Sequence, residues 1–214
     1  MKCQTGLIMK KNDQILHPHI LVSSVFNSEE IEKINSLVGK YDLHYGRTGA
    51  RSNKSKPTRE SIEKVRVSDV RFFSRTDEAN FETGWIFARL DDVIHQVNET
   101  CFDFQLNRYN SFQYTTYDAE KEGRYNWHMD SFTGRSEHSE KNFPRKLSMS
   151  IFLNDDFEGG DFEICTADQS RPVKFQTIPG DAIVFPSFMI HRVTTVTKGI
   201  RKSLVVWVEG PRWK

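Results

Sequence analysis

The pattern of apolar and polar positions divides the chain into a helical first part and a strand-rich second part. Apolar residues recur every three or four positions over residues 28–39 and again over residues 80–96, which predicts two amphipathic helices. Ser28 is the predicted N-cap of the first helix, and Gly39 ends it. Residues 65–74, between the two helices, have the pattern of a strand.

From residue 103 onward, short apolar runs separated by turn residues predict about eight strands. The turns recur at the spacing of a sandwich or barrel, so we predict an α+β, mainly β fold with an antiparallel jelly roll. Pro179 and Gly180 fit the central positions of a type II turn, which predicts a hairpin between residues 173–178 and 182–186. The other predicted strands lie within residues 103–117, 124–130, 147–154, 161–165 and 200–208.

The composition shows no bulk preference for a charged partner. The 214 residues include 30 basic and 29 acidic side chains, so we expect no general attraction to nucleic acid or to a membrane surface. The three cysteines are isolated, which is typical of a reducing compartment, and no apolar run approaches the ~20 residues of a membrane span. We therefore expect a cytoplasmic protein with one domain over residues 1–214, made of a helical support over about 1–100 and a jelly-roll core over about 103–210. Its oligomeric state stays open.

A candidate metal site lies near the middle of the chain, in the sequence Trp127-His128-Met129-Asp130. Residues two apart on a strand point to the same face, so His128 and Asp130 present an imidazole and a carboxylate to one point in space. His191, just past a distant predicted strand, supplies a third ligand. Two histidines and one carboxylate on one face of a metal leave three octahedral positions open and suit non-haem Fe(II).

A candidate anion site follows ten residues after His191. An α-keto acid chelates such a metal through its C1 carboxylate and C2 keto oxygen, and dioxygen takes the remaining position. The distal carboxylate of 2-oxoglutarate then needs a buried cation, and Arg201 suits it because a guanidinium binds a carboxylate bidentately. On a strand, Ser203 shares the face of Arg201 and adds a hydroxyl donor. Val205 and Trp207 continue that face as a pocket wall.

These residues are part of a longer series of motifs that resembles the Fe(II)/2-oxoglutarate-dependent oxygenases, and within them the prolyl 4-hydroxylase-like family. The resemblance is good from about Gln113 to Gly210 and looser in the helical first half. The motifs are Tyr117, Tyr125, Trp127-His128-Met129-Asp130, Arg145-Lys146-Leu147-Ser148, Leu153-Asn154, Glu158-Gly159-Gly160, Pro179-Gly180-Asp181, His191 and Arg201-Lys202-Ser203.

The resemblance implies that the jelly roll is a double-stranded β-helix buttressed by the N-terminal helices. It implies Fe(II), 2-oxoglutarate and dioxygen, allows ascorbate as an accessory reductant, and implies hydroxylation with release of succinate and carbon dioxide. By position it supports the metal and anion sites described above and adds two tyrosines. Tyr117 matches a tyrosine that reaches the cosubstrate, and Tyr125 matches one that lines the substrate side.

The sequence also departs from the family pattern. Phe152 and Phe162 stand where relatives often have a hydroxyl-bearing residue near the cosubstrate, which leaves more of that hydrogen bonding to Tyr117 and Ser203. Many prolyl hydroxylases have a lysine at the position of Arg201, whereas oxygen-sensing and microbial members have an arginine. These departures are compatible with 2-oxoglutarate and leave the prolyl substrate open.

Three functions stay open at this point. The first is hydroxylation of a prolyl or other residue in a protein or peptide, and the second is the same chemistry on a free amino acid or small metabolite. The third is a jelly-roll binding module with a vestigial site, which the joint presence of all three ligands and the arginine disfavours. Nucleic-acid demethylation is disfavoured because Trp207 stands where that branch has a second arginine.

Two polar segments flank the candidate site. Residues 46–61 carry five basic side chains and almost nothing apolar, and residues 133–146 begin three positions after Asp130. A segment with so little apolar surface does not order itself. Residues 46–61 are therefore interpreted either as an ordinary surface loop or as a lid that closes over the metal site when substrate binds.

Overall fold

The computed structural model describes residues 18–46, 58–76, 80–131, 143–166 and 170–211. Its helices are α1 (Ser28–Val38), α2 (Arg59–Glu63) and α3 (Asn80–Val97), and α3 continues into a π-helical turn over Asn98–Phe102. Its strands are β1 (Ile20–Val22), β2 (His44–Tyr45), β3 (Arg66–Val67), β4 (Asp69–Ser74), β5 (Ser111–Asp118), β6 (Arg124–His128), β7 (Arg145–Phe152), β8 (Glu158–Gly159), β9 (Phe162–Cys165), β10 (Val173–Phe175), β11 (Ala182–Pro186), β12 (Ile190–Val193), β13 (Val196–Lys198) and β14 (Ile200–Glu209).

These strands form two main antiparallel sheets and a small ribbon. The larger sheet has the order β1-β11-β7-β14-β5-β4-β2, the smaller has the order β10-β9-β12-β6-β3, and β13 pairs with β8. Apolar side chains of both main sheets, among them Phe152 from β7 and Phe162 from β9, pack into one buried cluster. The helices pack on the larger sheet in a second cluster. This arrangement confirms the predicted mainly β fold, a double-stranded β-helix with helical support.

Alternation along the central strands separates a structural face from a functional face. On β14, Leu204, Val206 and Val208 belong to the cluster that packs with the helices. Arg201 and Ser203, which alternate with these residues, line a cavity on the opposite face. Since side chains alternate across a strand, one ten-residue strand both anchors the helices and supplies the wall of the site.

The N-cap of α1 differs from the prediction by one residue. Asn27, not Ser28, is the cap: its side chain accepts a hydrogen bond from the backbone N–H of Glu30 at 2.9 Å, and the Glu30 carboxylate accepts one from the backbone N–H of Asn27 at 2.9 Å. This reciprocal capping box satisfies two backbone donors at once, which a cap at Ser28 would not. Glu30 also pairs with Arg89 of α3 at 2.8 Å, so the cap connects the two helices.

The predicted polar loop over residues 46–61 is shorter than expected at its second end. Thr58 accepts a hydrogen bond from the backbone N–H of Ser61 and begins α2, whose Ile62 is buried. Residues 47–57, most of the segment 46–61 for which a lid was considered, lie outside the described residues, as do residues 133–142 of the second polar segment. The strand predicted from residue 147 begins two residues earlier, at Arg145.

The predicted hairpin around Pro179-Gly180 is wrong, although the turn itself is present. The backbone N–H of Asp181 donates to the carbonyl of Ile178 at 3.0 Å, and Gly180 has a φ of +89°. The strands on either side, however, belong to different sheets: β10 pairs with β9, and β11 pairs with β7 and β1. The turn therefore transfers the chain from one sheet to the other.

No helix in the described part of the chain is long and apolar enough to cross a membrane.

We expect Gly180→Ala to destabilise the fold. A Cβ at this position would lie 2.0 Å from the Phe26 carbonyl oxygen, and the left-handed backbone costs an L-residue roughly 1–2 kcal/mol before that clash. Gly84→Ala is the matched control, because a Cβ on this α3 residue meets nothing within 4 Å. Alanine at Gly84 should instead stabilise the protein by roughly 0.5–1 kcal/mol. Urea unfolding measures both effects, and equal stability of Gly180→Ala and the parent chain would contradict the expectation.

Candidate metal centre

The three predicted metal ligands come together at the ends of two paired strands. His128 is the last residue of β6 and is paired in register with His191 of β12, and Asp130 follows two residues later. Nε2 of His128 lies 3.7 Å from Oδ1 of Asp130, and Nε2 of His191 lies 3.6 Å from Oδ2. All three ligand atoms lie within 4.8 Å of one another. No other group of three or more potential ligands is found among the described residues.

Hydrogen bonds orient both imidazoles toward the shared point. Nδ1 of His128 lies 2.8 Å from the carbonyl oxygen of Asn126, and Nδ1 of His191 lies 3.0 Å from that of Met189. A carbonyl oxygen only accepts, so each Nδ1 donates, and Nε2 is the ring nitrogen left to bind a metal. Backbone carbonyls hold metal-ligating histidines in this way in many metal sites.

The electrostatics of the site favour the protonation states that a metal requires. Burial, followed by the neighbouring His191, lowers the pKa of His128 to about 3, so its imidazole is neutral at physiological pH. Burial alone would raise the pKa of Asp130, but the two histidines, Arg145 and a hydrogen bond from Ser148 together bring it below its usual value. A neutral imidazole beside an ionised carboxylate needs no deprotonation before metal binds.

Arg201 is a buried cation with unused donors. It is 1% exposed, and its Nη1 donates to Oγ of Ser203 at 3.2 Å. Its Nε and Nη2 have no hydrogen-bond partner in the part of the chain that the structure describes. Burial lowers the pKa of Arg201, yet a guanidinium remains charged in proteins. A buried charge with unpaired donors is unfavourable unless an anion completes it, so the residues fit the distal carboxylate of 2-oxoglutarate.

The surroundings of Arg201 are aromatic on two sides and tightly packed. Its Cζ lies 5.4 Å from the ring centre of Tyr117 and 5.7 Å from that of Phe152. Gly160 has a φ of +63°, and a Cβ there would lie 3.0 Å from Cδ of Arg201. The guanidinium is therefore held by packing, and Phe152 supplies an apolar wall on one side of it.

One cavity brings all the predicted site residues together. The predicted residues that line it are Tyr117, Tyr125, His128, Asp130, His191, Arg201, Ser203 and Trp207. Gln113, Ser150 and Phe185 also line it, and sequence reasoning did not identify them. Their only signal was alternation on strands, which does not distinguish a cavity wall from a packed core.

Arg66 is a further lining residue that sequence reasoning missed. Its guanidinium lies over the ring of Tyr125, 4.8 Å from the ring centre, and Tyr125 stacks on His128 with ring centres 3.4 Å apart. Burial raises the pKa of Tyr125 to about 12 although Arg66 opposes this, so the phenol stays protonated. The stack extends the metal site toward the predicted substrate side.

Comparison with known proteins points to one family. Residues 104–209 match the family model described as the 2OG-Fe(II) oxygenase superfamily. A PKHD-type hydroxylase from Synechococcus sp. (strain CC9311) is 40% identical over 97 residues, which cover 43% of this chain and 39% of that relative. Another, from Psychrobacter sp. (strain PRwf-1), is 36% identical over 88 residues, which cover 40% of this chain and 33% of the relative. The chain thus spans less than half the length of these relatives.

Two solved structures show the same fold. A prolyl-4-hydroxylase from Pseudomonas putida superposes with a TM-score of 0.66 and 16% identity, over 92% of this chain and 94% of that chain. A prolyl hydroxylase from Trichoplax adhaerens, in complex with a hypoxia inducible factor oxygen degradation domain peptide fragment, superposes with a TM-score of 0.68 and 13% identity, over 90% and 84%. At these identities the likeness establishes the architecture of the chain and leaves its substrate open.

Proposed function

Because the chain belongs to the 2OG-Fe(II) oxygenase superfamily, we propose that it is a dioxygenase that hydroxylates a prolyl or other residue in a protein or peptide and releases succinate and carbon dioxide. Membership of the superfamily implies Fe(II), 2-oxoglutarate and dioxygen. The observation that carries the proposal is the convergence of the His-Asp-His group and the incompletely paired Arg201 on one cavity.

Each group in the cavity has a role in this reaction. His128, Asp130 and His191 would hold Fe(II), which supplies oxidising chemistry with dioxygen when bound. Arg201 pairs with the distal carboxylate of 2-oxoglutarate and so orients its keto-acid end toward the three ligands. Ser203 adds a hydroxyl beside that carboxylate. Phe162 and Phe185, whose rings lie 5.6 Å and 4.7 Å from that of His191, exclude water from the reacting groups.

Aromatic side chains at and next to the cavity support a peptide substrate. Trp207 lies beside Phe72, an apolar residue of β4 that is 47% exposed, with ring centres 6.4 Å apart. Nε1 of Trp207 is buried without a hydrogen-bond partner among the described residues, so it is a donor available to a bound group. Arg145 stacks over Trp207 at 4.1 Å. Aromatic surface with nearby donors suits a ring such as proline together with the carbonyl oxygens of a peptide backbone. The peptide-bound Trichoplax neighbour is consistent with this choice.

Succinate formation by the iron-loaded protein tests the proposed function. The assay compares proline-containing peptides with free amino acids, with and without ascorbate, and uses Asp130→Ala as the inactive control. Turnover of peptides alone supports the proposal, and turnover of free amino acids alone favours the small-metabolite alternative. A protein that binds iron and 2-oxoglutarate but forms no succinate with either set would support the binding module instead.

A further inference from the structure

A chain of buried hydroxyl groups contacts the carboxylate of Asp130. Ser148 on β7 donates to Oδ2 of Asp130 at 2.8 Å, and Oγ of Ser187 lies 2.8 Å from Oγ of Ser148. An ionised carboxylate only accepts, so the single hydroxyl proton of Ser148 goes to Asp130 and Ser187 donates to Ser148. Both serines are 0% exposed. The two bonds therefore run in one direction, toward the metal ligand, and strengthen each other.

Ser187 also holds the backbone of the same ligand. Its carbonyl oxygen accepts from the backbone N–H of Asp130 at 3.0 Å and from that of Ser131 at 2.9 Å. Ser187 follows directly after β11, whose Phe185 is paired with Ser148 on β7. Asp130 itself lies beyond the end of β6, so no strand ladder fixes it. Two strands of the larger sheet thus position a ligand that belongs to the smaller one.

The position of the carboxylate alone does not select which oxygen binds metal. Oδ1 and Oδ2 lie at nearly equal distances, 3.7 Å and 3.6 Å, from Nε2 of His128 and Nε2 of His191, respectively. What distinguishes the two oxygens is the hydrogen bond from Ser148, which occupies Oδ2. A carboxylate that bound through both oxygens would occupy a coordination position that the cosubstrates need.

We propose that Ser148, supported by Ser187, is a positioning residue that makes Asp130 a one-oxygen metal ligand through Oδ1. This rests on the proposed function only in that the three ligands must bind a metal. Hydrogen-bond partners of metal ligands typically change metal affinity by about 10- to 100-fold when they are removed. Ser148→Ala should therefore weaken metal binding by about that factor, and Ser148→Thr, which keeps the hydroxyl, should restore it.

Co(II) is a suitable probe, because calorimetry reports its affinity and its visible spectrum reports its coordination. Infrared carboxylate stretches report whether one or both oxygens of Asp130 are bound. Ser148→Ala should lose affinity and change both spectra, whereas Ser148→Thr should match the parent protein. Ser187→Ala should shift the same signals in the same direction by less. Thr83→Ala is the control, since Thr83 is a fully buried hydroxyl residue of α3 that lies outside the cavity lining.

The outcomes separate this inference from the proposed function. A parent protein that does not bind Co(II) contradicts the metal centre itself. Parent-like affinity and spectra in Ser148→Ala overturn only the positioning role. Equal losses in Ser148→Ala and Ser148→Thr would overturn it as well, because they would show a packing effect. If Ser148→Ala does not fold, Ser187→Ala decides, and parent-like spectra in that variant count against the proposal.

Discussion

Alanine at His191 is expected to abolish both metal binding and succinate formation. The residue is buried, its Nδ1 is occupied by the carbonyl of Met189, and its Nε2 faces Asp130. The three ligands bind a metal on one face only, and no further potential ligand joins the cluster within the described ranges. The loss of one ligand is therefore not compensated. Mn(II) or Co(II) should replace iron in the parent protein without supporting turnover, so metal affinity is measurable apart from catalysis.

His95→Ala is the control for this experiment. Its imidazole is 74% exposed and lies 3.3 Å from Glu99, and neither residue lines the cavity. Exposed pairs of this kind contribute little to stability, so His95→Ala should bind metal and form succinate like the parent. Full activity of His191→Ala would remove this residue from the metal site, whatever the behaviour of His95→Ala.

The sequence predicted that His128 and Asp130 are close in space, and they are. The strand geometry behind that prediction reaches only to His128, where β6 ends, and the carbonyl of Ser187 holds the backbone of Asp130 beyond it. Arg201 does lie on a strand, and alternation along β14 sets it beside Ser203. That second prediction needs only local geometry, which a single sequence carries.

The wrong predictions depend on contacts that the local residue types do not decide, whether the partners are distant or near in the chain. The turn at Pro179-Gly180 was identified from local residue types, but which sheet receives the following strand depends on nonlocal pairing. Asn27 and Ser28 are neighbouring residues with nearly equal capping preference, and the reciprocal bond with Glu30 decides between them. Residues 103–110 contain strand-forming side chains but form no strand, since β5 begins at Ser111.

Ser148 and Ser187, which hold Asp130 in place, could not be identified from the sequence for a similar reason. Ser148 lies 18 residues from Asp130, and Ser187 lies 39 residues from Ser148. A serine on an alternating strand resembles any other polar position of a half-buried sheet. Only the packing of β7 and β11 against the end of β6 shows that these hydroxyls reach a metal ligand.

The second large effect is expected at the other end of the cavity, where Arg201→Ala should nearly eliminate 2-oxoglutarate binding. Leaving one partner of a buried charge pair uncompensated costs about 3–5 kcal/mol. That corresponds to roughly two to four decades in affinity, at about 1.4 kcal/mol per decade. Metal affinity should change little, because Arg201 is not among the residues that contact the three ligands in the described structure. Calorimetry with the Mn(II)-loaded protein measures both affinities separately.

Two further variants separate charge from geometry in this prediction. Arg201→Lys keeps the positive charge but loses the planar pair of donors, so its affinity for 2-oxoglutarate should lie between those of the parent and Arg201→Ala. Lys202→Ala removes the neighbouring cation, whose side chain points to the other face of β14, and should bind 2-oxoglutarate like the parent. An unchanged 2-oxoglutarate affinity in Arg201→Ala would exclude Arg201 from the cosubstrate site.

Thermal unfolding gives an independent measure of the pairing between Arg201 and 2-oxoglutarate. Nε and Nη2 of Arg201 have no partner within the described structure, so a bound carboxylate would complete a buried charge and stabilise the folded state. At a 2-oxoglutarate concentration about 100 times the dissociation constant, linkage predicts a gain of about 2.7 kcal/mol in the free energy of unfolding. The Mn(II)-loaded parent should show this gain and Arg201→Ala should not, even if the two proteins differ in stability without the cosubstrate. An equal gain in both would mean that 2-oxoglutarate is held by other groups, with Tyr117 and Ser203 as the first to test.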